Sequence, residues 1–361
     1  MTLFSALAVG ALELPNRVVM APLTRLRSSA TGVPSPMNIE YYTQRSTTGF
    51  IMSEGMYTSP GSQAYPGQPG IVTPEQIAGW RLVTDAVHTA GGRIVAQLMH
   101  GGRVTHPDVN GGNVVTAPSP IAIVGEVRTQ NGKQNFPVPT APAESEMGVL
   151  VGELVKAAQN ALEAGFDGVE VHSANGYLLH EFLSPVSNVR TDSYGSSPAN
   201  RARLGIEVVT AISAAIGADR VGIRISPSHN IQDVLELDAD ETRLTYEALI
   251  DGIAPLNIAY LSVLHVEPTG ELVQGLRARF GGVLIANSGF GTVTTHAEAE
   301  ALVADGMADA VAVGRMLIAN PDLVRRWQEG TELNQPDAAS FYGPDERGYT
   351  DYPALEDAVA A

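Results

Sequence analysis

Residues 165–177 read Gly165-Phe166-Asp167-Gly168-Val169-Glu170-Val171-His172-Ser173-Ala174-Asn175-Gly176-Tyr177, and this stretch decides the fold. Gly165 closes a helical pattern that runs back to Glu146, because glycine takes the left-handed conformation that ends helices. The short apolar run behind it reads as a buried β-strand. His172, Asn175 and Tyr177 then crowd the point where strand gives way to loop. An imidazole and an amide can together donate two hydrogen bonds to one carbonyl oxygen, and a nearby phenol can deliver a proton. A site of that kind polarises a conjugated carbonyl, while another group must supply electrons. Any one of these residues alone would read as a polar loop satisfying its own backbone; three within six positions outweigh that.

The same unit recurs along the chain. Arg17–Leu23, Phe50–Met56, Arg93–Met99 and Gly168–Ala174 read as four strands. Arg220–Ser226, Ala259–His265, Val283–Gly289 and Ala310–Arg315 supply four more. Nearly all are continuous apolar runs, as expected for parallel strands covered on both faces. Helical patterns over Pro74–Ala90, Glu146–Ala164, Ala199–Ile216, Asp240–Ile253 and Thr295–Ala304 lie between them. Eight strands with crossover helices predict an α/β fold, a closed (β/α)8 TIM barrel spanning 1–361 as one domain. An open doubly wound sheet would carry a glycine-rich turn after its first strand, and Met20-Ala21-Pro22-Leu23-Thr24-Arg25 has none. The segment 100–144, rich in Gly, Pro, Asn and Val, is too long for a plain connection and predicts a β-hairpin or lid over the barrel mouth. The aromatic tail 333–361 is expected to lie partly over the active site and to fray after Pro353.

Composition narrows the partners. The chain has 361 residues, a formal charge of −17, 44% hydrophobic residues and no cysteine. Its mean hydropathy is +0.03, and no stretch approaches the ~20 apolar residues of a spanning helix. The acidic balance argues against nucleic acid and anionic membranes, which reward Lys and Arg. Absence of cysteine excludes disulfides, thiolate zinc and cysteine-bound iron–sulfur clusters. The N-terminus lacks the basic leader of a signal peptide and reads as mature and cytoplasmic. The eight histidines form no metal motif, so no metal site is expected.

Barrel chemistry sits at the C-terminal strand ends. There the chain offers Thr24, then Glu54 and Gly55, then Gln97, His100 and Arg103, then the His172 cluster. Arg224 lies within the apolar run of the fifth strand. Buried there, it needs an accepting partner: either an ion pair with Glu54 or Glu170, or a functional group. Asn287-Ser288-Gly289 and Gly314-Arg315 end the last two strands, where such barrels commonly hold phosphate.

Taken in order, these motifs resemble the old yellow enzyme family of FMN-dependent ene-reductases, over almost the whole chain. The landmarks are Asn16 to Arg25, Tyr41-Tyr42-Thr43-Gln44-Arg45, Ser53-Glu54-Gly55, Gln97 to Arg103, His172 to Tyr177 and Asn188 to Gly195. Gly314-Arg315, Ala319-Asn320-Pro321-Asp322-Leu323 and Gly348 to Pro353 complete the set. The resemblance implies noncovalent FMN reduced by NAD(P)H, with hydride passing from flavin N5 to a C=C bond activated by a carbonyl or nitro group. It assigns Pro22, Leu23, Thr24, Gly55, Gln97 and Arg224 to the flavin ring, and Asn287, Ser288, Gly289, Gly314 and Arg315 to the phosphate side. It gives His172 and Asn175 the acceptor oxygen, Tyr177 the proton donation, and Tyr65, Met99 and Tyr349 the substrate pocket. Met99 stands where many relatives have tryptophan, and His180-Glu181 where Asp-Gln is common. A nitro or nitrate-ester reductase using the same site, and a barrel that binds flavin or phenols without turnover, are the alternatives. Small-molecule acceptors and NAD(P)H are the expected partners, for a monomer or homodimer.

Overall fold

The computed structural model describes residues 1–289 and 291–355. Eight parallel strands close a barrel: β1 (Val18–Met20), β2 (Ile51–Met52), β3 (Ile94–Met99), β4 (Gly168–Ser173), β5 (Val221–Ile225), β6 (Tyr260–Leu264), β7 (Leu284–Asn287) and β8 (Ala310–Val313). Each strand pairs with its chain neighbour, β8 pairs with β1, and β2 pairs with β3, which completes the ring. The first two strands stop short of their apolar runs. Residues 21–27 and 53–55 leave the sheet and line the mouth instead.

The outer helices are α1 (Pro36–Thr43), α2 (Pro74–Thr89), α3 (Met147–Glu163), α4 (Pro198–Ile216), α5 (Ala239–Ile253), α6 (Glu271–Phe280), α7 (His296–Ala304) and α8 (Leu323–Glu329). Their starts are written in the sequence. Thr73, Ser197, Asp238 and Thr295 each cap a helix by accepting a backbone N–H three residues on, and Pro74 and Pro198 occupy first-turn positions that need no N–H. None of the helices among the described residues is long and apolar enough to cross a membrane.

Two packed layers hold the barrel. The larger core lies between strands and helices, with Trp80, Leu154, Val208, Tyr246 and Leu317 pressed on the outward strand faces. The smaller fills the lumen with Val19, Phe50, Met52, Val95, Tyr260, Ile285 and Ala312. Gly222 is required there, because a Cβ would lie 2.1 Å from the Tyr260 ring. A short hairpin, Leu7–Val9 with Leu12–Leu14, seals the lumen by inserting Val9 and Leu14.

The long insertion does form a hairpin, Glu126–Thr129 paired with Gly132–Asn135. Its base packs toward the active end of the barrel, since Val104 and Ile123 join Met99 and Tyr177 in one apolar cluster. The tail docks on the loop after β1: Arg25 and Arg27 donate to the carbonyls of Ser340, Phe341, Asp345, Arg347 and Gly348. Of the stretch expected to fray, Leu355 donates its N–H to Asp322, and residues 356–361 lie outside the described residues.

Candidate active site

β4 delivers His172 to the mouth, and the chain then turns sharply. Asn175 and Gly176 take left-handed conformations, with φ of +60° and +81°. Asn and Gly are the residues that tolerate this. Three bonds fix the turn. The Asn175 N–H donates to Ser226 Oγ at 2.9 Å, the Gln232 amide donates to the Asn175 carbonyl at 2.7 Å, and the Gly176 N–H donates to His180 Nδ1 at 2.9 Å. The result brings the His172 and Tyr177 rings within 5.3 Å. Tyr65 joins them, its hydroxyl 3.0 Å from that of Tyr177.

Two polar atoms of this cluster are buried without a partner among the described residues: Nδ1 of His172 and Oδ1 of Asn175. Leaving such atoms unpaired is costly, which marks a place built to meet a ligand. Burial, followed by the Arg224 and His180 charges, pushes His172 well below its ordinary pKa, so the imidazole is neutral. Burial and then Tyr65 push the Tyr177 phenol well above its own, so it keeps its proton. A neutral ring, an amide and a protonated phenol therefore face one space.

Beside them lies the floor of the mouth. Register pairs Gln97 with Glu170, and His172 with Arg224 and Arg224 with Ser262, so these side chains stack in layers. Arg224 donates to Ser262 Oγ at 3.1 Å and Asn287 Oδ1 at 3.2 Å, while its Nε is buried without a partner. Its countercharge is Glu170, which also accepts from the Gln97 amide at 2.8 Å. Glu54 belongs elsewhere: its Oε2 accepts the N–H groups of Arg25 and Leu26 at 3.1 and 3.2 Å, fixing the loop directly behind Thr24. Pro22, Leu23 and Thr24 are half-buried on that loop. Gly55 must stay bare, as a Cβ would lie 2.8 Å from Met99 Sδ and 3.3 Å from the Gln97 side chain. Gly314 sits against Leu23, with Ser288, Gly289 and Arg315 on the adjoining strand ends. The unpartnered Arg224 Nε, the Gln97 amide and the glycine-lined strand ends suit FMN. Among the described residues no cluster of three metal-ligating side chains occurs.

Three expectations need correction. Tyr349 is fully buried and stacks on Tyr41 at 4.0 Å, with its hydroxyl accepting from Asn38 at 2.9 Å and the Arg25 and Arg27 guanidinia 5.0 and 4.5 Å from its ring centre. It anchors the tail and presents nothing to a substrate. The Asn287 amide is committed at both ends, to Arg224 and to the Ala312 carbonyl at 2.8 Å, so it orients Arg224 instead of gripping phosphate. Met99, only 2% exposed, packs behind Tyr177 and Gly55 and forms little of any wall. Sequence reasoning also passed over Gln232, whose amide holds the Asn175 carbonyl. The polar run from Ser226 to Glu236 after β5 was the available signal.

Over residues 2–334 the chain matches the NADH:flavin oxidoreductase / NADH oxidase family. A probable flavin mononucleotide-dependent alkene reductase of Leishmania infantum is 42% identical over 358 residues, covering 97% of this chain and 96% of that protein. The structure of the old yellow enzyme homologue from Zymomonas mobilis superposes with a TM-score of 0.93 at 37% identity, covering 98% of this chain and all of the other. Morphinone reductase in complex with tetrahydroNAD superposes with a TM-score of 0.92 at 41% identity, covering 99% and 98%. A likeness this extensive, on a barrel whose strand ends already suit a flavin, places the chain in the NADH:flavin oxidoreductase / NADH oxidase family, among the FMN-dependent oxidoreductases of the old yellow enzyme group.

Proposed function

We propose that this chain is an NAD(P)H-driven ene-reductase that reduces C=C bonds conjugated to a carbonyl or nitro group. Bound FMN supplies the hydride chemistry. With no cysteine in the chain, no thioether link to it can form. Thr24, Gln97 and Arg224 hold its ring, and the loops carrying Ser288, Gly289, Gly314 and Arg315 hold its phosphate.

His172 and Asn175 bind the acceptor oxygen. Negative charge grows on that oxygen as hydride reaches the β-carbon, so donors fixed there act most strongly in the transition state. A neutral His172 donates without being consumed as an acid. Tyr177 then gives its proton to the α-carbon. Its phenol is the one acid of the cluster not aimed at the acceptor oxygen, and the Tyr65 hydroxyl at 3.0 Å can turn from accepting the phenol's proton to donating to the phenolate left behind.

The observation that carries this reading is the buried, unpartnered His172 Nδ1, with the Asn175 amide next to it and a protonated phenol alongside. A panel of enones, maleimides, nitroalkenes and nitrate esters, run with NADH and NADPH, tests it. Turnover of cyclic enones and maleimides with product saturated at the C=C bond is expected. Turnover of nitrate esters alone would replace the reading with a nitro-compound reductase. Flavin-loaded protein that reduces no acceptor would leave a binding barrel.

A further inference from the structure

We propose that Gln232, presented by a strained turn after β5, is a positioning residue that sets proton delivery by Tyr177. The proposal rests on Tyr177 being the proton donor and names what controls it.

The turn Ile231–Val234 closes with the Val234 N–H donating to the Ile231 carbonyl at 3.0 Å. Its two central residues, Gln232 and Asp233, both have φ of +56°. Neither is glycine, so the chain holds two side-chain-bearing residues where L residues are unfavourable. Such a conformation persists only when its surroundings fix it, and here they do. The Gln232 carbonyl accepts from Arg103 Nη2 at 3.2 Å, and the Asp233 carboxylate accepts the Val124 N–H at 2.6 Å. On the other side the turn lies flat against Gly176, where an added Cβ would fall 2.8 Å from the Ile231 carbonyl and 2.9 Å from Gln232 Cβ. The strained turn is thus wedged between the long insertion and the loop that carries Asn175 and Tyr177.

What the wedge delivers is one amide. Gln232 Nε2 carries two N–H groups. One donates to the Asn175 carbonyl at 2.7 Å, on the left-handed residue that aims the Asn175 side chain. The Gln232 side chain also lies against Gly176, whose added Cβ would meet its Cβ and Cγ at 2.9 and 3.3 Å, so it braces both residues that lead into Tyr177, and it favours the ionised form of that phenol. A buried phenolate needs donors in proportion to its charge. Tyr65 offers one from 3.0 Å, and its alignment depends on where the braced loop holds the phenol. The amide therefore couples the residue that binds the acceptor oxygen to the residue that protonates carbon.

A double-mutant cycle with stopped-flow kinetics tests this on the FMN-loaded enzyme, using Gln232→Ala, Tyr177→Phe and the combination. Reduction by NADPH and reoxidation by cyclohexenone are measured separately, with the flavin spectrum and melting temperature as controls on folding. Gln232→Ala is expected to slow reoxidation by about 10-fold or more, the cost of loosening the loop that aims Asn175 and Tyr177, and to leave reduction within about twofold. In the Tyr177→Phe background it should add less than it costs the wild type, because the phenol is gone and only the disturbance of Asn175 remains. Full additivity, equal slowing of both half-reactions, or no slowing overturns the role of Gln232 while Tyr177→Phe remains slow. Unimpaired reoxidation in Tyr177→Phe overturns the proton-donor reading itself, and Gln232 falls with it. Gln232→Asn, one methylene shorter, separates reach from fold: native melting temperature with slow reoxidation supports the proposal, and native rates refute it.

Discussion

Glu181→Gln should make stability less dependent on pH, and the size of the effect follows from where Glu181 lies. The side chain is fully buried beneath the loop that follows β3. One oxygen accepts the Arg103 N–H at 2.8 Å, and the other has no partner. Both carboxylate oxygens crowd Gly102, within 2.6 Å of where its Cβ would be. Burial pushes this carboxyl from its ordinary 4.5 up to about 8, against the pull of the Arg103 charge and N–H. The folded protein therefore keeps a proton that the unfolded chain releases. Stability drawn from the neutral acid is fully present below pH 4.5 and is lost as pH rises through 8. At roughly 1.4 kcal/mol per pH unit, the whole displacement corresponds to about 5 kcal/mol. Glutamine keeps the shape and the acceptor for Arg103 but cannot ionise. Urea unfolding of both proteins from pH 5 to 9 reads the difference directly, since every other titrating group cancels. The variant should match the wild type within about 1 kcal/mol near pH 5 and exceed it by about 4–5 kcal/mol above pH 8. Two parallel curves would show that Glu181 is ionised throughout and that its neutrality is not what the fold exploits.

Tyr177→Phe should leave NADPH-dependent reduction intact and slow reoxidation by cyclohexenone about 10²–10⁴-fold in stopped flow; nitro acceptors, which need no proton at carbon, should suffer less. Arg315→Ala should weaken FMN retention by about 1.5–3 kcal/mol in fluorescence titration, the worth of a charge-assisted phosphate contact. Tyr349→Ala should cost about 3–5 kcal/mol in denaturant melts and leave the ratio of rates for bulky and small enones unchanged, since the ring packs on Tyr41 and meets no substrate.

The barrel was legible because parallel strands covered on both faces leave unbroken apolar runs, and eight such runs appear in order. Helix starts at Thr73, Ser197, Asp238 and Thr295 were equally readable, each being a side chain that satisfies a free backbone N–H. What escaped was short. The hairpin Leu7–Leu14 has strands of three residues, too few for any period to show. Its value is tertiary, for Val9 and Leu14 matter only because the lumen above them must be closed. The strand ends misled for a related reason. Residues 21–23 are as apolar as the strand they extend, yet they bend away because the mouth needs them as a lining.

Side-chain chemistry at the site divides along the same line. His172, Asn175 and Tyr177 could be found together because one loop carries all three, and the interior position of Arg224 was visible from its apolar neighbours. Pairings across the barrel were not. Arg224 had two candidate acids in the sequence, and only the register that sets β4 beside β5 selects Glu170 over Glu54. Tyr349 misled because an aromatic residue near a mouth has two uses, and three arginines decide between them. Arg25, Arg27 and Arg45 all carry guanidinia buried near its ring or backbone. Buried guanidinium needs acceptors and π-faces, so the tail supplies its carbonyls and Tyr349 supplies its ring. A residue consumed in that way has no surface left for a substrate. The loop after β1 gains its rigidity from the same contacts: Glu54 holds Arg25 and Leu26 by their N–H groups, and Arg25 holds the tail. Thr24, one residue earlier, is thus fixed through Arg25 by an acid and a tyrosine from two distant parts of the chain.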